Sequence, residues 1–129
     1  MDVRTEKTFV MVKPDGVVKG LIGEVISRLE QRGLKVVALK MFTPTVAQID
    51  SHYPKDDEWI CGLGKNTKAT YEKYGYDINE HLGTDVEFEI GKIVRGWILT
   101  TMTAGPVVTM VFEGLHAVDM VRKVVGSTV

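Results

Sequence analysis

The sequence predicts an α/β sandwich in which three strands and two long helices fall one strand short of the common βαββαβ plan. Three observations lead there. Short β-branched runs occupy 8–13, 34–42 and 107–112. Apolar stripes of helical spacing fill segments between and after them, and glycines or prolines stand at the joins. A chain of 129 residues, 44% hydrophobic and 26% charged, suffices for one globular domain and leaves little room for a second.

Thr8–Lys13 is an unbroken apolar run that ends in a cation before Pro14, and it reads as a central strand covered on both faces. Ile22, Val25, Ile26 and Leu29 then repeat at i, i+3, i+4 and i+7, one apolar stripe of a helix that Gly33 should stop. Leu34–Phe42 is the second strand, and Pro44–Tyr53 a short helix with Val46 and Ile49 on one side. No apolar period runs through Pro54–Gly91, which reads as an insertion holding a short helix around Lys68–Tyr74. Ile93, Trp97, Ile98 and Thr101 resume a helical stripe that Ala104-Gly105-Pro106 ends. Val107–Phe112 is the third strand. The last helix should turn Ala117, Val118, Val121, Val124 and Val125 inward, pair Asp119 with Lys123 outward, and stop at Gly126.

Charge and cysteine usage exclude several classes. Sixteen Lys and Arg against seventeen Asp and Glu give a net charge of −1, which argues against a protein held to nucleic acid by bulk positive charge. The single cysteine, Cys61, forms no internal disulfide, and no secretory signal precedes Thr8, so the expectation is a cytoplasmic, reducing setting. Gly96–Phe112 is uncharged but too short and too broken to span a membrane.

The sharpest chemical feature is Lys13-Pro14-Asp15-Gly16 at a strand end, with Gly20-Leu21-Ile22-Gly23-Glu24 opening a helix. A lysine placed there reaches a phosphate, and nearby glycines let backbone N–H groups approach an anion. An ordinary strand-to-helix turn with a solvated lysine fits the same spacing. Gly62-Leu63-Gly64-Lys65-Asn66-Thr67 lacks both the four-residue glycine gap and the preceding strand of a phosphate-binding loop. His52, His81 and His116 have no metal-ligand spacing, so no protein metal site is expected, and each also fits a capping or surface role. Arg122 fits a weak surface pair with Asp119, and Thr128 a loop hydroxyl.

Taken together, TFVMVKPDGVVKGLIGEVISRLEQRGLKVVALKM at 8–41, the His52-Tyr53 pair, and AGPVVTMVFEGLHAVDMVRKVVGST at 104–128 resemble the nucleoside diphosphate kinase family. The blocks stand in the family's order and cover most of the chain outside the insertion. The resemblance implies a ferredoxin-like antiparallel sheet with helices on it, in one domain over 1–129 with an insertion at 54–91. It also implies Mg²⁺-dependent, ping-pong transfer of the γ-phosphate of ATP or another nucleoside triphosphate to a nucleoside diphosphate, through a phosphohistidine. In that family the lysine of KPDG contacts the transferred phosphate and the sugar hydroxyls, here Lys13. The tyrosine of the HY pair sits close to the phosphate in flight, here Tyr53, and an arginine and a threonine hold the β-phosphate, here Arg122 and Thr128. An amine, a guanidinium and two hydroxyls neutralise and orient a polyphosphate. The magnesium ion rides on the nucleotide phosphates, and the family assembles into tetramers or hexamers.

Departures from the family pattern matter equally. The GTIRGDF segment, the N-x-x-H segment with the nucleophilic histidine, and the last strand are not in these 129 residues. His116 aligns within EGLHAV and His52 within the HY pair, so neither replaces the nucleophile. The aromatic that packs on the base aligns near Val94, and the insertion is longer than in the commonest members. Three readings follow: a nucleoside diphosphate kinase segment, inactive as it stands; a nucleotide-binding or oligomer-forming module without catalysis; and an unrelated regulatory or RNA-binding domain of the same fold. The third needs exposed aromatics on the sheet, whereas Phe9 and Met11 read as buried.

Overall fold

The computed structural model describes residues 5–126. They form two compact units, one of the residues up to Pro44 together with those from Ala104 onward, the other of Thr45–Thr103.

The first unit holds β1 (Glu6–Val12), α1 (Pro14–Val18), α2 (Ile22–Glu30), β2 (Lys35–Phe42), β3 (Val107–Gly114) and, last in chain order, α7 (Ala117–Val125). The strands form one sheet in the order β1-β3-β2, and both pairings are antiparallel. β1 and β2 therefore run parallel with β3 between them, which is the split βαβ arrangement of the ferredoxin-like plan. Val10 faces Met110 and Val12 faces Val108, while a register shift between Val36 and Ala38 bulges β2. Val10, Val12, Met110, Phe112, Leu29 and Val121 form the core between the sheet and α2 and α7. Full burial of a side chain such as Phe112 or Leu29 contributes about 1.5–3 kcal/mol.

Four expectations for this unit are corrected. β3 is the central strand, not β1, whose pairing among the described residues is with β3 alone. Phe9 lies on the sheet face away from the core and is 52% exposed, and Met11 is half-buried. An apolar run shows only that neither face resists a cover; it does not supply one. Val125 turns outward because the nine residues of α7 present a narrower stripe, centred on Ala117 and Val121. Asp119 and Lys123 form no ion pair; those among the described residues are Arg28–Glu24, Lys55–Asp50 and Arg95–Asp50. Gly33, at φ 80°, closes the turn after α2, and Gly126, also at φ 80°, ends α7, both as the sequence predicts.

The second unit is helical: α3 (Val46–His52), α4 (Asp57–Lys73), α5 (Ile78–Leu82) and α6 (Glu87–Met102). Thr45 and Gln48 form a reciprocal capping box on α3, and the Asp56 side chain caps α4 by accepting from Trp59 N–H at 3.0 Å. The expected short helix near 68–74 is instead a 17-residue helix. Its partner explains why no apolar period announced it. α4 packs on α6 through Gly64 and Gly91, both buried. A Cβ on Gly64 would collide with the Glu87 carbonyl, and one on Gly91 with the Ile60 carbonyl. Backbone lies against backbone there, so the contact uses few large apolar side chains. Gly62–Thr67 lies inside α4 and forms no loop. Among the described residues no helix is long and apolar enough to cross a membrane.

Candidate functional site

Lys13 stands at the joint between β1 and α1. It is exposed, has extended backbone, and its carbonyl accepts the Val17 N–H at 3.0 Å. Pro14 is the first residue of α1, where its missing N–H costs nothing, and it is buried. Gly16 lets this turn lie on the strand end: a Cβ there would stand 2.9 Å from Cγ1 of Val12. The lysine is thus held at the sheet end by a rigid turn rather than by a side-chain partner.

Arg122 comes from α7, exposed beside buried Val121. The start of α7 is tied to the opposite end of β1, where Val118 N–H donates to Oε1 of Glu6 at 2.9 Å. Its last turn lies along α2, where Leu21, Glu24, Val25, Arg28 and Leu29 share a shallow cleft with Val124 and Val125. The first unit therefore exposes two cations, Lys13 at the end of β1 and Arg122 on α7, with no carboxylate bonded to either among the described residues. Thr128 lies outside the described residues.

Tyr53 belongs to the second unit, at the C-terminus of α3. Its N–H donates to the Ile49 carbonyl at 3.2 Å, and its ring lies 6.1 Å from that of Trp59. Burial pushes its phenol pKa up, so the hydroxyl is a neutral donor at physiological pH. Arg95 of α6 holds this segment. It donates to Asp50 Oδ1 at 2.7 Å, to the carbonyls of Asp50 and Tyr53 at 3.0 Å each, and to that of Pro54 at 2.9 Å. Hydrogen bonding by Arg95, then by Lys55, holds the Asp50 carboxyl below its ordinary pKa. Neither Arg95 nor Asp50 stood out in the sequence, although a lone arginine within the apolar run that follows Ile93 was the available signal.

The remaining candidates are separate. Exposed His52 stands edge-on to Tyr53, with ring centroids 5.1 Å apart. His81 meets the Tyr71 hydroxyl at 2.7 Å, and His116 begins α7 in the left-handed region at φ 51°. Cys61 is half-buried and reduced, and Val94 is half-buried on α6. Among the described residues no three His, Cys, Asp or Glu groups stand close enough to hold a metal.

Residues 6–59 match the family model described as nucleoside diphosphate kinase. The chain is 44% identical over 123 residues to a nucleoside diphosphate kinase of Pyrobaculum aerophilum, matching 95% of this chain and 67% of that protein. It is 37% identical to one from Archaeoglobus fulgidus, again over 95% of this chain but only 60% of the relative. A crystal structure of an NDP kinase from Pyrobaculum aerophilum superposes with TM-score 0.90 at 42% identity, covering 96% of this chain and 68% of that one. A transition-state mimic of the nucleoside-diphosphate kinase of Borrelia burgdorferi, with bound vanadate and ADP, gives TM-score 0.68 at 31% identity, covering 98% and 59%. The chain thus spans about two thirds, or somewhat less, of the relatives it matches. With identity of this extent and the same strand-and-helix framework, the chain belongs to the nucleoside diphosphate kinase family.

Proposed function

We propose that the chain holds the polyphosphate of a nucleoside di- or triphosphate, as part of the transfer of the ATP γ-phosphate to a nucleoside diphosphate. The observation that carries this is the pair of exposed cations of the first unit, Lys13 at the end of β1 and Arg122 on α7, with no carboxylate bonded to either among the described residues. It is supported by the 31% identical structure with bound vanadate and ADP. In this reading Lys13 meets the phosphate being transferred, Arg122 and Thr128 hold the β-phosphate, and the neutral Tyr53 hydroxyl donates to a phosphate oxygen. Magnesium enters bound to the nucleotide phosphates, where it neutralises their charge. The same reading takes 1–129 as one domain with an insertion at 54–91, working in the cytoplasm as a homo-oligomer of four or six.

Ping-pong transfer needs a histidine nucleophile in line with the phosphate. The three histidines of this polypeptide occupy the HY pair, the Tyr71 contact and the start of α7, so the 129 residues by themselves bind nucleotide without turnover. Incubation with labelled ATP, then a diphosphate, followed by a phosphohistidine assay, tests this. The expected result is no acid-labile label and no transfer. Label on His52, His81 or His116 that passes to a diphosphate overturns it. In parallel, Arg122→Ala should weaken ADP binding about tenfold, the loss of one charge-assisted contact. Unchanged calorimetric binding in that variant, with its fold intact, removes Arg122 from the phosphate site. It would favour the alternative of an oligomer-forming module.

A further inference from the structure

We propose that the cleft where α4 meets α5 binds an organic ammonium cation, held between tyrosine faces and the carboxylates of Asp77 and Glu80. The proposal stands apart from the nucleotide reading and uses none of its residues.

The cleft is built by a local chain reversal. α4 ends at Lys73, and Gly75, at φ 73°, turns the chain so that Tyr76 N–H donates back to the Tyr71 carbonyl at 2.9 Å. That bond brings the Tyr76 ring to 6.2 Å from Tyr71 at 73°, and to 6.5 Å from Tyr74 at 33°. His81 of α5 adds a fourth ring, 5.5 Å from Tyr71, and its Nδ1 lies 2.7 Å from the Tyr71 hydroxyl, which fixes both rings. The four rings, with Thr70, Asp77 and Glu80, line an open cleft of about 580 Å³. A helical tip that exposes Tyr74 and Tyr76 by 62% and 67% spends hydrophobic surface on no core.

The chemistry selects the ligand. Tyrosine faces carry negative potential and attract poorly hydrated cations within about 6 Å of the ring centroid. One ring already does so: Lys73 Nζ stands 5.6 Å from the centroid of Tyr74. Glu80 and Asp77 form no ion pair among the described residues. Both amide bonds that Asp77 accepts, from Asn79 and Glu80, use Oδ1, which leaves Oδ2 without one. A polyphosphate would be repelled by these carboxylates. A bare metal ion lacks a ligand set, since no three His, Cys, Asp or Glu groups converge among the described residues. An alkylated ammonium, apolar in its methyl or methylene surface and positive at its centre, matches rings and carboxylates together.

The test is NMR titration of the 129-residue protein with choline, its neutral carbon isostere 3,3-dimethylbutan-1-ol, spermidine and adenosine. Choline or spermidine should shift the ring resonances of Tyr71, Tyr74, Tyr76 and His81, and the neutral isostere should bind about tenfold more weakly or worse. Which of the two cations binds tighter separates a quaternary head from a chain of amines. Asp77→Asn with Glu80→Gln should weaken binding several-fold while keeping the α5 cap, because an asparagine oxygen caps as an aspartate does. Tyr76→Leu should weaken it about tenfold, whereas Tyr76→Phe, which keeps the ring face, should not. Equal binding of the isostere, tighter binding of adenosine, no shift at millimolar cation, or indifference to the charge-removing pair would each overturn the proposal.

Discussion

Replacing Gly64 by alanine isolates the contact that assembles the second unit. Alanine is favoured over glycine in a helix interior by about 1 kcal/mol, so propensity alone would make the variant more stable. The structure reverses the sign. The new Cβ meets the Glu87 carbonyl, and Gly91 N at 2.9 Å, and both are backbone atoms of the facing helix that no rotamer change can move aside. Overpacking of this kind costs about 1–3 kcal/mol, and a backbone obstacle places it at the upper end. Gly62 provides the control, in the same helix with nothing within 4 Å of its would-be Cβ. The propensity gain is common to both variants, so their difference measures the clash alone, about 3 kcal/mol. Gly62→Ala should stabilise by up to about 1 kcal/mol and Gly64→Ala destabilise by about 2 kcal/mol. Urea unfolding followed by tryptophan fluorescence reads the right unit, because both tryptophans of the chain, Trp59 and Trp97, lie on α4 and α6. Gly91→Ala should behave like Gly64→Ala, and the double variant should lose less than the sum, since helices parted for one methyl admit the other. A Gly64→Ala protein as stable as Gly62→Ala would refute the close backbone approach.

Two smaller predictions concern α3. The Asp50 carboxyl is held below its ordinary pKa by Arg95 first and Lys55 second, so its contribution is present above the unfolded value and lost as pH falls through the folded one. The stability difference between the protein and Asp50→Asn should therefore be constant above about pH 5 and shrink below about pH 4, where unfolded aspartate titrates; a difference constant to pH 2 would count against the Arg95 contact. Thr45→Ala removes the side-chain half of the α3 capping box, whose hydroxyl accepts from Gln48 N–H at 3.2 Å. Thermal unfolding should report a loss of about 1 kcal/mol, and no measurable loss would show the cap to be idle.

The sequence by itself determined the family and, apart from the five-residue α1, the order of elements in the first unit. Apolar periods of 22–29 and 117–124, the β-branched runs, and the stops at Gly33 and Gly126 are local signals, each written within a turn or two of chain. The long blocks around Lys13 and Arg122 are likewise contiguous text, which is why they are legible in the sequence alone. Tertiary structure decided the rest. That β3 and not β1 is central depends on which strands pair, and an apolar run has no record of its neighbour. Arg95 gains meaning only because α6 brings it to Asp50, 45 residues earlier in the chain. Helix α4 reads as only a short helix near 68–74 because Gly64 and Gly91 pack by lacking side chains, so the surface they bury is backbone and leaves no apolar period. The tyrosine cleft was hidden for a related reason: Gly75 and the Tyr71–His81 bond fold four rings together across a turn, and ring geometry is set by that reversal rather than by composition. Local propensity and burial pattern are encoded residue by residue, whereas partners distant in sequence are chosen by which surfaces fit once the chain has folded.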